Sequence, residues 1–243
     1  MATKTRIDIH NRTFQMVFSA VMVALATVLS VIPVMQLPFG GSVTLFSQVP
    51  ILAVSWILGI PWGLASGLAY AILQLLVGGI GNFSYVQGIL AYIILVFADY
   101  LVPFTFLGFG GMFKRVIKNP YTAASVGTVM VCAIRYISHF ISGATIWTEY
   151  APDTAIKAVL AYSASYNATY MVPETIISVI GICAVIALLN KLAPKQQTAA
   201  TGEEKTEEWF STVFRTEFTA FQPPFPQKRR FLCVVCIRAI YPP

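Results

Sequence analysis

Asp99 is the only acid between Asp8 and Glu149, and it stands inside the apolar run "ILVFADYLVPFTFLGF", residues 94–109. A carboxylate buried in such surroundings must take up a proton or find a cation. A second apolar stretch, "RYISHFISGATIW", residues 135–147, carries Arg135, His139, Gly143 and Trp147 at a constant spacing of four. On a helix that spacing drifts only about 40° per step, so the four form one stripe about 18 Å long. The stripe offers a cation, an imidazole, a gap and an indole. Gly143 lets a flat ring approach the backbone, and Trp147 supplies a face on which a ring or a cation stacks. A third stretch, "YSASYNATYMVPE", residues 162–174, brings Tyr162, Tyr166, Asn167 and Tyr170 close together. Asn carries both donor and acceptor, enough to read the edge of an aminopyrimidine or an amide.

Each feature has a plainer alternative. Asp99 could pair with Arg135. Trp147 and the tyrosines could form an interfacial aromatic belt, and Gly143 could serve helix packing. Taken together, one anion with Tyr100 beside it, one imidazole, an indole and an amide suit a pocket for a small aromatic cation. Catalysis is poorly served, because no acid pair, metal-spaced cluster or Ser-His-Asp set accompanies them.

The elements that must position these groups are membrane helices. The 243 residues are 57% hydrophobic and 11% charged, against about a quarter charged in soluble domains. Six spans are expected, at 14–35, 45–60, 62–80, 85–112, 121–147 and 169–192, with "GIPWG" making a tight turn between the second and third. Residues 148–168 read as a loop with some helix. The fold class is therefore all-α and polytopic. Lys4, Arg6, Arg12, Lys114, Arg115, Lys118, Lys191 and Lys195 fall on one side of such a bundle, and Lys157 alone on the other. This places both termini in the cytoplasm.

Three segments follow: a cytoplasmic stretch 1–13, a membrane domain 14–195, and a tail 196–243. The tail mixes charge runs and Pro pairs and reads as disordered or non-native. Its KRR run could touch anionic lipid, and its lone CxxC, Cys233 and Cys236, is weak as a zinc signal. The N-terminus is polar, without a secretory leader pattern. The formal charge of +6 reflects topology, so nucleic acid is not an expected partner.

"VFADYLVPFTFLGFGGMF", the His-x3-Gly-x3-Trp stripe and "AYSASYNATYMVPE" together resemble the thiamine-binding S component, the substrate-binding subunit of energy-coupling factor (ECF) transporters. The resemblance covers about residues 12–193. It implies a six-helix S-component bundle in the plasma membrane, with thiamine as ligand and no cofactor. Trp147 would stack on the aminopyrimidine, and Tyr162 and Asn167 would bond its edge. Asp99 would face the thiazolium and the ring amine. His139 would pack on the thiazolium and, with Tyr100, hold the hydroxyethyl end, while Gly143 keeps the slot open. Ala20 and Ala24 in helix one would dock a transmembrane coupling subunit that works with two ATPases, internal packing being the alternative. The chain holds no GxxxxGK[ST] pattern, so ATP hydrolysis would fall to those partners. The first outer loop, "LPFGGSVTLFSQVP", departs from relatives that carry Trp and Glu there. Phe39 and Gln48 are its nearest candidates for a lid contact. The rival functions are a solitary proton-coupled carrier using Asp99, His139 and Arg135 as a relay, an S component for another vitamin, and an intramembrane enzyme.

Overall fold

The computed structural model describes residues 11–153 and 155–192. The segment 1–10 and the tail from 193 onward, with its CxxC and KRR, lie outside the described residues, as does the Phe39 side chain.

The first helix, α1, spans Arg12–Val31 and is capped by the Asn11 side chain, which accepts from Thr13 N at 2.9 Å. It buries only Ser19, Val23 and Ala26, while Val17, Val21, Leu25 and Val28 are exposed. A helix that is apolar on its outer face as well as its inner one is built for lipid. A short hairpin follows, β1 Pro33–Gln36 antiparallel to β2 Ser42–Thr44, with Met35 opposite Val43. The all-α expectation has no place for it. The turn at Pro38–Gly40 closes because Gly40 takes φ +94°, which L side chains rarely adopt.

The second helix, α2, runs Val49–Leu58, and its residues Val49–Trp56 are all buried. Ten residues rise about 15 Å, half the hydrocarbon thickness, so α2 sits inside the bundle rather than crossing on its own. Gly59 (φ +96°) turns the chain straight into α3, Ile60–Gln74, as the "GIPWG" motif predicts. Helical structure continues from α3 to Tyr85 through a π-helical turn, Leu75–Gly79, and a 3-10 segment.

The next apolar stretch begins as α4, Ile89–Ile94, widens to a π-helix over Leu95–Leu101, and resumes as α5, Val102–Thr105. Pro103 is one cause of the widening. It has no N–H to return to the carbonyl of residue 99, four positions back. The ladder therefore loosens where Asp99 stands. Beyond it, Ser55 Oγ donates to Gly108 O at 2.5 Å and accepts from Gly111 N at 3.0 Å. A side chain at Gly108 would strike the backbone of Gly63, so α3 and this segment meet through glycines.

The longest two helices carry most of the site. The first, α6, spans Pro120–Thr145, with Asn119 as N-cap and Pro120 leading. The second, α7, spans Ile156–Leu192 without interruption, Pro173 included. The expected loop with some helix over 148–168 is therefore helix from Ile156 onward, and the expected start at 169 comes thirteen residues too late. Two of the hydroxyls that suggest a loop fold back instead, Ser165 onto Ala161 O at 2.8 Å and Thr169 onto Ser165 O at 2.9 Å, and Ser163 donates across to Phe140 O of α6 at 2.9 Å. Thirty-seven residues rise about 55 Å, well beyond an apolar core of about 30 Å.

Among the described residues five stretches are long and apolar enough to cross a membrane: Arg12–Val31, Ile60–Tyr85, Ile89–Arg115, Pro120–Thr145 and Ile156–Lys191. The core between them joins Ile51, Leu52, Trp56, Tyr70, Leu107, Val131, Ile182 and Ile186. Lys114 Nζ donates to Trp56 O at 2.7 Å and lies over the Trp56 ring, which ties the basic segment to the end of α2.

Candidate functional site

A cavity of about 540 Å³ opens between α1, α3, the π-helical segment, α6, α7 and the hairpin. All seven expected ligand residues line it: Asp99, Tyr100, His139, Gly143, Trp147, Tyr162 and Asn167. It occupies the C-terminal half of α6, the end remote from Lys114, Arg115 and Lys118.

Asp99 is the electrostatic centre. Its Oδ1 lies 3.1 Å from His139 Nδ1, and its Oδ2 accepts from Ser142 Oγ at 2.7 Å and from Trp147 Nε1 at 3.2 Å. Two of the partners come from α6 and Trp147 lies two residues past its end, so the stripe and the π-helical segment meet on one carboxylate. The Asp99–Arg135 pair, which the spacing also allows, does not form. Arg135 turns to α7, where Nη1 lies 3.5 Å from Glu174 Oε2, and its guanidinium covers the Phe104 ring at 4.6 Å. Glu174 Oε1 accepts in turn from Thr44 Oγ1 at 2.9 Å.

The remaining walls follow from the same elements. Asn82 Nδ2 donates to the Tyr100 hydroxyl at 2.8 Å. Asn167 Nδ2 donates to Ser163 O at 2.8 Å, and its Oδ1 accepts from the Tyr170 hydroxyl at 2.6 Å. Tyr162 and Tyr166 stack with centroids 6.0 Å apart. Trp147 stands 6.2 Å from Tyr85, centroid to centroid. A Cβ on Gly143 would run into Ser163 Oγ, so this glycine also allows α6 and α7 to approach.

The hairpin forms one side of the cavity, and Tyr166 ties it down. The Tyr166 hydroxyl accepts from Gly41 N at 3.1 Å and donates to Pro38 O. Gln48 is not available as a lid contact. It is fully buried at the head of α2 and accepts from the Cys132 thiol at 3.7 Å. The sequence reading also missed Ser138, Ser142, Ser163, Asn82 and the hairpin. Ser138 and Ser142 carry a signal in retrospect, since they repeat the spacing of four one position before His139 and Gly143.

Ala20 and Ala24 lie on the exposed side of α1, so internal packing does not account for them.

The family model described as thiamine transporter protein (Thia_YuaJ) matches residues 16–194. Thiamine transporter ThiT of Bacillus subtilis (strain 168) is 33% identical over 187 residues, covering 72% of this chain and 90% of its own. Thiamine transporter ThiT of Lacticaseibacillus paracasei is 26% identical over 212 residues, covering 80% and 95%. Two solved structures share the fold. ThiT from Listeria monocytogenes superposes with a TM-score of 0.54 at 22% identity, covering 76% of this chain and 98% of that one. The S component of a bacterial ECF transporter gives 0.52 at 18% identity, covering 76% and 100%. The chain is thus a multi-pass membrane protein with the S-component fold, and it belongs to the thiamine transporter protein family.

Proposed function

We propose that this chain binds thiamine in the cavity around Asp99 and acts as the substrate-binding S component of an ATP-driven ECF transporter. The observation that carries this reading is the partner choice of Asp99. Its carboxylate faces a cavity shared with an indole, an imidazole and an amide, while Arg135, also in the cavity wall, is paired with Glu174 and not with Asp99. That leaves one negative charge to meet one cationic ring. Trp147 stacks on the aminopyrimidine, Tyr162 and Asn167 read its edge, Tyr100 and His139 hold the thiazolium and its hydroxyethyl arm, and Gly143 leaves room for the rings.

Lys114, Arg115 and Lys118 mark the cytoplasmic side, so the cavity opens outward and both termini lie inside. The chain itself is not an enzyme. A transmembrane coupling subunit, docked on the α1 face that carries Ala20 and Ala24, links it to two ATPase subunits, where ATP is hydrolysed. The engagement of Arg135 by Glu174 weighs against a solitary proton-coupled carrier, because it takes one member out of the Asp99–His139–Arg135 relay.

The test is a thermal-shift screen of the detergent-solubilised protein against a panel of vitamins, followed by titration calorimetry. Thiamine is expected to raise the melting temperature most. Stabilisation by another vitamin and none by thiamine would reassign the substrate.

A further inference from the structure

Ser and Thr hydroxyls inside helices usually fold back onto a carbonyl of their own helix, as Thr145 does onto Ile141 O at 2.8 Å. Two serines of α6 do otherwise. Ser138 Oγ crosses to Ala98 O at 2.6 Å, and Ser142 Oγ crosses to Asp99 Oδ2 at 2.7 Å. They sit one turn apart and both are buried, Ser142 completely. Their acceptors are consecutive residues of the π-helical segment, where the ladder is already loosened. One hydroxyl holds the backbone just before the acid, and the other holds the carboxylate itself.

We propose that Ser138 and Ser142 are positioning residues that set the direction of the Asp99 carboxylate for its cationic ligand; this rests on the reading of Asp99 as counter-charge to thiamine. His139 and Trp147 also bond Asp99, but both line the cavity, so their hold on the carboxylate competes with their contacts to the ligand. Ser142 has no exposed surface to offer a ligand. Its hydroxyl can act on the ligand only through Asp99. The donated hydrogen bond fixes Oδ2, which Trp147 also bonds, so that Oδ1, with one lone pair beyond its contact to His139, is held toward the ligand.

The test uses the full chain in detergent and two ligands: thiamine, and its neutral isostere with a thiophene ring in place of the thiazolium. Ser142→Ala is expected to weaken thiamine binding about tenfold, the scale of a hydrogen bond to a charged group. Binding of the neutral isostere should stay unchanged. Ser142→Cys, a weaker donor of similar size, should fall between, and Ser138→Ala should lose less than Ser142→Ala. In an Asp99→Asn background, Ser142→Ala should cost nothing further. Equal losses for both ligands would mean a merely structural role and overturn the proposal, as would unchanged thiamine affinity in Ser142→Ala. If Asp99→Asn itself leaves thiamine binding intact, the counter-charge reading fails first and takes this one with it. A loss in Asp99→Asn with none in Ser142→Ala removes only the positioning role.

Discussion

Arg135 Nη1 stands 3.5 Å from Glu174 Oε2, bridging α6 and α7 with both side chains almost entirely buried. The pair divides the charges of the bundle into two groups. Arg135, which lines the cavity, is cancelled by Glu174 behind it, next to Thr44 of the hairpin. Asp99 is left with imidazole, hydroxyl and indole partners, which hold it without supplying a permanent cation. Removing one member of a buried pair strands the other charge, at a cost of about 3–5 kcal/mol. Glu174→Gln should therefore lower thermal stability sharply. Replacing both residues, as in Arg135→Met with Glu174→Leu, should recover much of the loss. Melting curves of the single and double variants check this, and a double variant less stable than either single would contradict it.

Asp99→Asn should keep the fold but lose the ligand. The amide is nearly isosteric with the carboxylate and can still accept from Ser142 and Trp147. What disappears is the charge facing the cation, worth about 2–5 kcal/mol for a desolvated pair. Calorimetry with thiamine should show the loss, with the unliganded melting temperature little changed. Unaltered affinity would remove Asp99 from the binding role.

Much of this was legible in the sequence because the features are local. The stripe from Arg135 to Trp147 follows from helical geometry alone, and a lone acid in an apolar run stands out by composition. The choice of partner was not legible. Asp99 could meet Arg135 or a ligand, and only the packing of α6 on α7 decides, by placing Glu174 beside the guanidinium. The continuation of α7 through 156–168 was hidden because its serines and tyrosines look like a loop until their hydroxyls are seen either folding back within the helix, as at Ser165, or crossing to neighbours, as at Ser163 and Tyr166. The hairpin was hidden for a different reason. Its strands are three and four residues long, too short to show alternation, and it is held by a hydroxyl 125 residues away in sequence. Gln48 misled because proximity to a loop in sequence says nothing about depth.

Trp147→Ala should cost about 1–3 kcal/mol of ligand affinity, the scale of base–aromatic stacking. Trp147→Phe should recover part of it, since a smaller ring still stacks but cannot donate to Asp99. Titration of intrinsic fluorescence offers the readout, with Trp147 expected to account for the quenching that thiamine causes. Full quenching in Trp147→Ala would assign the stacking to another residue.

Gly143→Ala tests two roles at once. A methyl there meets Ser163 Oγ, and overpacking of this kind costs about 1–3 kcal/mol. If the glycine serves helix approach, adding Ser163→Ala to Gly143→Ala should restore stability. If it also keeps the ligand slot open, the double variant should be stable yet still bind thiamine poorly. The expected result is recovery of the melting temperature with incomplete recovery of affinity. Full recovery of both would confine Gly143 to packing.

Tyr166→Phe removes the hydroxyl that joins α7 to Gly41 and Pro38 while leaving the ring stacked on Tyr162. A net hydrogen bond is worth about 1 kcal/mol, and two are lost here. The bundle should respond less than the hairpin, because the hairpin packs through Val43 onto a small cluster with Cys132, Tyr170 and Met171 and stays outside the main core. Local opening should respond strongly, since weakly attached segments exchange through their own low-energy openings. Hydrogen exchange at the Gly41 amide and its neighbours should quicken about tenfold or more, with the α6 and α7 amides unchanged. Ligand release should quicken with it if the hairpin covers the occupied cavity. Exchange that rises uniformly over the whole bundle would show instead that Tyr166 supports global stability, and exchange that does not rise at all would show that the hairpin is held from its root, through Thr44 and Glu174.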